Sequence, residues 1–117
     1  MKYVGIVGSR RRLDRETVRE LVSSLPADVV VVSGHAPGPD IWAEESARNR
    51  ALETLVFAPD LTGAVTQGQR TRRYHARNQQ IVDAVDELFA LVSVERRGGT
   101  EDTIRRAYRK GIPVHIM

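Results

Sequence analysis

Five apolar, β-branched runs punctuate the chain: Tyr3–Val7, Val29–Val32, Leu55–Ala58, Leu88–Val94 and Ile112–Ile116. They are continuous and do not alternate, the pattern of strands covered on both faces. The segments between them carry helical spacing. Asp14 is placed as an N-cap ahead of Val18, Leu21, Val22 and Leu25, which fall at i, i+3, i+4 and i+7. A second helix is predicted from near Asp40 to about Leu52, with Ala43, Ala47 and Ala51 as a small face able to approach a sheet closely. The third covers roughly Thr71–Val85, with Tyr74, Ile81, Val82 and Val85 inward. The fourth spans about Glu101–Lys110 and stops at Gly111. Pro113, inside the last run, suits an edge strand better than a central one.

Strand and helix thus alternate from end to end. Right-handed crossovers make such a chain an open, mostly parallel three-layer α/β sandwich. A length of 117 residues fits a single domain over 1–117 with a core of its own, and 41% hydrophobic with 28% charged residues is an ordinary globular composition. There is no internal repeat. Cysteine is absent, which excludes disulfide scaffolds, zinc–cysteine sites and thiol catalysis. No apolar run approaches the roughly 20 residues of a membrane span, and the start lacks a signal-peptide layout, so no membrane association and a cytoplasmic location are expected. The one long connection, about Pro59–Arg70, reads either as a loop over a site or as disorder. Trp42 reads as a core or subunit-interface residue.

In a sheet of this kind ligands bind beyond the carboxyl ends of the strands, and the turns there differ in character from those at the other end. Gly8-Ser9-Arg10 follows the first strand, Ser33-Gly34-His35-Ala36-Pro37-Gly38-Pro39-Asp40 the second, and Arg97-Gly98-Gly99-Thr100 the fourth. The glycines serve either as tight turns or as places where backbone N–H groups approach a phosphate at a helix N-terminus. The spacing is neither a Walker A loop nor Gly-x-Gly-x-x-Gly, which disfavours an ordinary NTPase or dinucleotide dehydrogenase. Asp40 reads as an N-cap, as an acceptor for a ribose hydroxyl, or as both. Glu44, one turn on, reads as a solvated position or a site carboxylate. His35 is either structural or a partner for base or sugar.

The net charge is only +3, but 16 of the 18 basic residues are arginine, whose planar fork suits phosphate. Arg70, Arg72, Arg73 and Arg77 lie in a stretch without acids from Leu61 to Val82. Positive charge at a helix start opposes the dipole, so these arginines are candidates for an anion, Arg77 foremost. Asn78 shares a face with Tyr74 and Ile81, so its amide is expected to be buried and partnered. Arg10 makes the same case at the first turn. No metal site or cofactor is predicted, since His75 and His115 form no ligand-spaced cluster.

In these motifs the chain resembles the SLOG superfamily, which joins the DNA-processing DprA/Smf proteins with the LOG phosphoribohydrolases, and within it the small YspA-related nucleotide-binding branch. The resemblance rests on Gly8-Ser9-Arg10, on Val32 to Asp40 with Ala43-Glu44, on Arg77-Asn78, on Gly99-Thr100 and on the closing Ala107 and Gly111-Ile112-Pro113-Val114. It implies a Rossmann-like sheet in strand order 3-2-1-4-5 and cleavage of the N-glycosidic bond of nucleoside monophosphates. His75-Ala76-Arg77 matches the LOG His-x-Arg segment. The Pro-Gly-Gly-x-Gly-Thr-x-x-Glu loop is degraded, with Thr103 where the glutamate would stand and Glu101, Asp102, Asp40 or Glu44 as possible substitutes.

The expectation is therefore a nucleotide or nucleotide-derived ligand. Its phosphate is placed at Gly8, Ser9, Arg10, Gly98, Gly99 and Thr100 under Arg77 and Asn78. Its ribose or base is placed near Ser33, Gly34, His35, Gly38 and Asp40. Arg77, Glu101 and Asp40 are the catalytic candidates. The alternative is DprA-like binding of single-stranded nucleic acid, which the arginine stretch favours and the 5% aromatic content disfavours. A third reading is a scaffold without a ligand. A homodimer or higher homo-oligomer is expected.

Overall fold

A computed structural model describes all 117 residues. Its strands are β1 (Lys2–Gly8), β2 (Val29–Ser33), β3 (Glu53–Val56), β4 (Glu87–Leu91) and β5 (Val114–Ile116). Its helices are α1 (Arg15–Ser24), α2 (Pro39–Asn49), α3 (Gln67–Ala84) and α4 (Gly99–Lys110). All strand pairs are parallel, in the order β3-β2-β1-β4-β5. This is the α/β Rossmann-like architecture expected from the alternation. The central strands are the ones buried on both sides. Val4 and Ile6 of β1 join Val29 and Val31 of β2 under α1 and α2, while Val7, Val32, Leu88 and Ala90 face α3 and α4. The chain winds outward from β1 through β2 to β3 on one side, then crosses to β4 and β5. The crossing point, between β1 and β4, is where an open sheet leaves a crevice at its carboxyl edge.

Several boundaries differ from the sequence expectation, each for a local reason. The strand expected at Leu55–Ala58 lies two residues earlier, because pairing with β2 sets Glu53 beside Val30 and Val56 beside Ser33. As an edge strand only partly buried, β3 accepts the polar Glu53 and Thr54. Strand β4 stops at Leu91, its last partner on β1, and Val94 is almost fully exposed. Helix α2 ends at Asn49, so Ala43 and Ala47 are buried while Ala51, in a left-handed conformation (φ 60°), is outside the helix and exposed. Helix α3 begins four residues early, at Gln67. Thr66 accepts the Gln69 N–H and the Gln69 side chain answers the Thr66 N–H, a capping box that orders the end of the long connection.

Asp14 does not cap α1 with its side chain, and its carboxylate pairs with Arg12 at 2.5 Å. Pro113 precedes β5, which is the sheet edge as its proline suggested. Trp42 is half-buried against the α1/α2 core. No helix is long and apolar enough to cross a membrane.

Candidate functional site

The turns after β1, β2 and β4 converge with the inward faces of α3 and α4 on a cavity of about 730 Å³, within the range of about 300–1,000 Å³ usual for small-ligand sites. Helices α2 and α4 both start from a glycine N-cap in nearly the same conformation. Gly38 has φ 100° and ψ −137°, Gly98 φ 100° and ψ −156°, and neither cap uses a side chain. A side chain is strained there, and a Cβ on Gly38 would also come within 3.1 Å of the Arg10 Cα.

Asp40 lies in the first turn of α2, beyond the cap position expected for it, and is 3% exposed. Its Oδ1 accepts the Gly8 N–H at 3.2 Å and its Oδ2 the Gly34 N–H at 2.9 Å, so this one carboxylate ties the first turn to the second. Both oxygens, considered for a ribose hydroxyl, are engaged with backbone. Burial pushes its pKa up to about 6, against the N–H groups of Gly34, Gly8 and Ala36 and the nearby charge of Arg77.

Arg77 is 8% exposed and forms no ion pair. Its Nη1 donates to the Gly34 carbonyl and its Nε to Asn78 Oδ1 at 3.0 Å, while Nη2 makes no hydrogen bond within the protein. The guanidinium lies 5.8 Å from the centre of the Tyr74 ring. Tyr74, expected inward, is half-buried on the cavity wall. Burial lowers the Arg77 pKa; the charges of Asp40 and Tyr74 oppose it. The amide of Asn78, predicted to need partners, donates to Asp102 Oδ2 at 3.0 Å and weakly to the Gly99 carbonyl at 3.4 Å. Asp102 also accepts from Arg106 at 2.7 Å. Burial would raise the Asp102 pKa, but the hydrogen bonds from Arg106 and Asn78 and the charges of Arg106 and His75 outweigh it and hold the carboxyl below its usual range. A chain of contacts thus runs from α4 through Asn78 to the arginine.

Gly8, Ser9, Arg10, Gly98, Gly99 and Thr100 all reach the wall. Thr103 is buried on it, its hydroxyl donating to the Gly99 carbonyl at 3.0 Å. Glu101 is off the wall, its carboxylate tied to Arg96 at 2.9 Å. Ser33, Gly34, His35 and Gly38 do not line the cavity and act behind it. There, Glu44 is 1% exposed and accepts from Ser33 Oγ at 2.5 Å, from His35 Nδ1 at 2.9 Å and from Arg48 at 3.3 Å. His35 sits in a left-handed conformation (φ 59°) with its ring half exposed. Arg70 and Arg73 turn to the carbonyls of Val65 and Asp60, both at 2.8 Å, away from the wall. Asp102, His75, Arg97 and Arg105 also line the wall. In the sequence His75 belongs to the His-x-Arg match, Asp102 is a possible substitute carboxylate and Arg97 starts the third turn; Arg105 is signalled only by its spacing, three residues from Asp102 on one helix face.

No family model matches the chain. Among known proteins it is 31% identical to the gene 61 protein of Mycobacterium phage D29, over 97% of this chain and 94% of that protein. The chain belongs to the gene 61 protein family. In fold, this family member is similar to DNA processing protein A (DprA) from Streptococcus pneumoniae, with a TM-score of 0.82 over 99% of its length at 22% identity. It spans 50% of that longer chain. A weaker likeness, TM-score 0.56 at 11% identity, is to the C-terminal domain of a hydrogenase from Pyrococcus furiosus, over 98% of this chain and 89% of that domain. The resemblance to DprA-like proteins is thus borne out at the level of fold.

Proposed function

We propose that the chain binds a nucleotide or nucleotide-derived ligand at the carboxyl ends of β1, β2 and β4, with a phosphate on Arg77 and the start of α4. The observation that carries this reading is the state of Arg77: a nearly buried guanidinium, with no carboxylate partner and one nitrogen free, on the wall of the principal cavity. Burying a charge without an ion-pair partner is costly, and a phosphate there supplies that partner in the fork geometry arginine favours. The expected ribose contact from Asp40 is not part of the proposal. Its role is to hold the Gly8 and Gly34 backbone.

LOG-like hydrolysis is a finer part of the same proposal. It rests on Asp102, the buried carboxylate on the wall whose Oδ1 makes no hydrogen bond and lies 3.8 Å from His75 Nε2. Glu101 and Asp40, the two carboxylates among the catalytic candidates from sequence, are committed elsewhere. Isothermal titration with nucleoside 5′-monophosphates tests the binding, with Arg77→Ala expected to abolish it. Base release from a bound monophosphate, lost in Asp102→Asn, tests the chemistry.

Single-stranded nucleic acid is the second reading, favoured by the likeness to a DNA processing protein and by Arg72, exposed and without an ion pair on α3. It predicts affinity for oligonucleotides that falls steeply with salt, where a single-nucleotide pocket predicts a shallow slope.

A further inference from the structure

The two loops nearest the mouth of the cavity each carry adjacent arginines that differ in what they do. In the β1–α1 loop, Arg11 pairs with Glu95 at 3.0 Å across to the β4–α4 loop, and Arg10 forms no ion pair. In the β4–α4 loop, Arg96 pairs with Glu101 at 2.9 Å, and Arg97 forms none. In each pair of neighbours one arginine takes a carboxylate, Arg11 that of Glu95 and Arg96 that of Glu101, and the other takes none. Arg96 is in a left-handed conformation (φ 53°) while its side chain reaches Glu101. Both Arg10 and Arg97 line the cavity, as does Arg77 from the opposite element. Of the carboxylates on the wall, Glu95 pairs with Arg11 and Asp102 with Arg106, while both oxygens of Asp40 accept from backbone. The cavity thus holds arginines without an ion-pair partner at two places: Arg77, buried on α3, and the exposed Arg10 and Arg97 on the loops.

The geometry points to a ligand with two phosphoryl groups, the first on Arg77 and the second between Arg10 and Arg97. This deepens the nucleotide reading of the site and rests on it. A second phosphoryl group comes either from a pyrophosphate, as in a nucleoside diphosphate, or from the phosphodiester of a 5′-phosphorylated dinucleotide. The volume of about 730 Å³ is in the range for either.

The test compares nucleoside monophosphates, nucleoside diphosphates and 5′-phosphorylated dinucleotides by isothermal titration on the intact chain. For wild type, one of the two-phosphate probes is expected to bind about tenfold more tightly than its monophosphate, the worth of one charge-assisted contact. Arg97→Ala should erase that gain while leaving the monophosphate within about twofold; Arg10→Ala should also erase the gain, and Arg77→Ala should weaken every probe. Both loop positions are exposed, and circular dichroism of the variants checks that they fold. A gain confined to the diphosphate assigns the second group to a pyrophosphate, and one confined to the dinucleotide assigns it to a phosphodiester. Monophosphate binding with no gain from a second phosphate overturns this inference alone, as does equal loss of both ligand classes in Arg97→Ala. Failure of every probe to bind wild type overturns the nucleotide reading and this inference with it.

Discussion

Asp40 and Arg77 hold Gly34 from its two ends: the Gly34 N–H donates to Asp40 Oδ2 at 2.9 Å, and the Gly34 carbonyl accepts from Arg77 Nη1. The two charged groups form no ion pair with each other. They are coupled through one backbone unit, which fixes the depth of the guanidinium without neutralising it and leaves it able to take an external anion.

Gly34 is where this coupling is tightest. A Cβ added there would lie 2.7 Å from Arg77 Nη1 and 2.9 Å from its Cζ. Gly34→Ala is expected to push the guanidinium out of place, reducing nucleotide affinity about as strongly as Arg77→Ala. The stability cost should stay near the ~1–3 kcal/mol of a strained core change. Titration of both variants beside urea unfolding checks it; wild-type affinity in Gly34→Ala would show that the arginine does not hold the ligand.

Asp40 gives the stability a definite pH dependence. Its folded pKa of about 6 lies above its ordinary 3.8, so the folded state takes up the proton first. The carboxyl therefore opposes folding progressively as pH rises from about 4 through 6, and the penalty, on the order of 3 kcal/mol, is complete above that. Asp40→Asn should flatten this component: the stability difference between wild type and variant shifts in favour of wild type as pH falls from 7 to 4. Denaturant unfolding of both proteins across that range measures it, and parallel profiles would contradict it.

Glu44 is expected to be a structural carboxylate. Glu44→Ala strands the Ser33 hydroxyl and frees His35 and Arg48, at a cost of about 2–4 kcal/mol. Glu44→Gln should lose less. The melting temperatures of the pair report the difference.

The start of α3 depends on its capping box. Thr66→Ala should cost about 1 kcal/mol and fray the first turn of the helix ahead of Thr71, on the cavity wall, which amide hydrogen exchange at Gln69 and Arg70 would show.

How much of this was legible in the sequence varies with the range of the forces involved. The alternating apolar runs determine the α/β class, since strands buried on both faces and helices apolar on one have distinct periods. The glycine-bearing turns, Arg77 and the need of Asn78 for partners were also readable, because special backbone and buried amides follow from local chemistry. The Thr66 to Gln69 cap was equally local and simply overlooked.

Ends of strands were not readable. The register with a neighbour stops β4 at Leu91 and moves β3 back to Glu53, and register is a property of pairs. The fates of the carboxylates belong to the same class. Asp40 and Glu44 lie a turn apart on α2, yet one binds the backbone of Gly8 and Gly34 and the other closes on Ser33, His35 and Arg48. Glu101 turns to Arg96 while its neighbour Asp102 enters the wall. Composition along the chain determined that positive charge would gather near these turns. Only the tertiary structure decided which arginines are neutralised, because an ion pair depends on which loop lies opposite, and Glu95 stands across from Arg11, leaving Arg10 free.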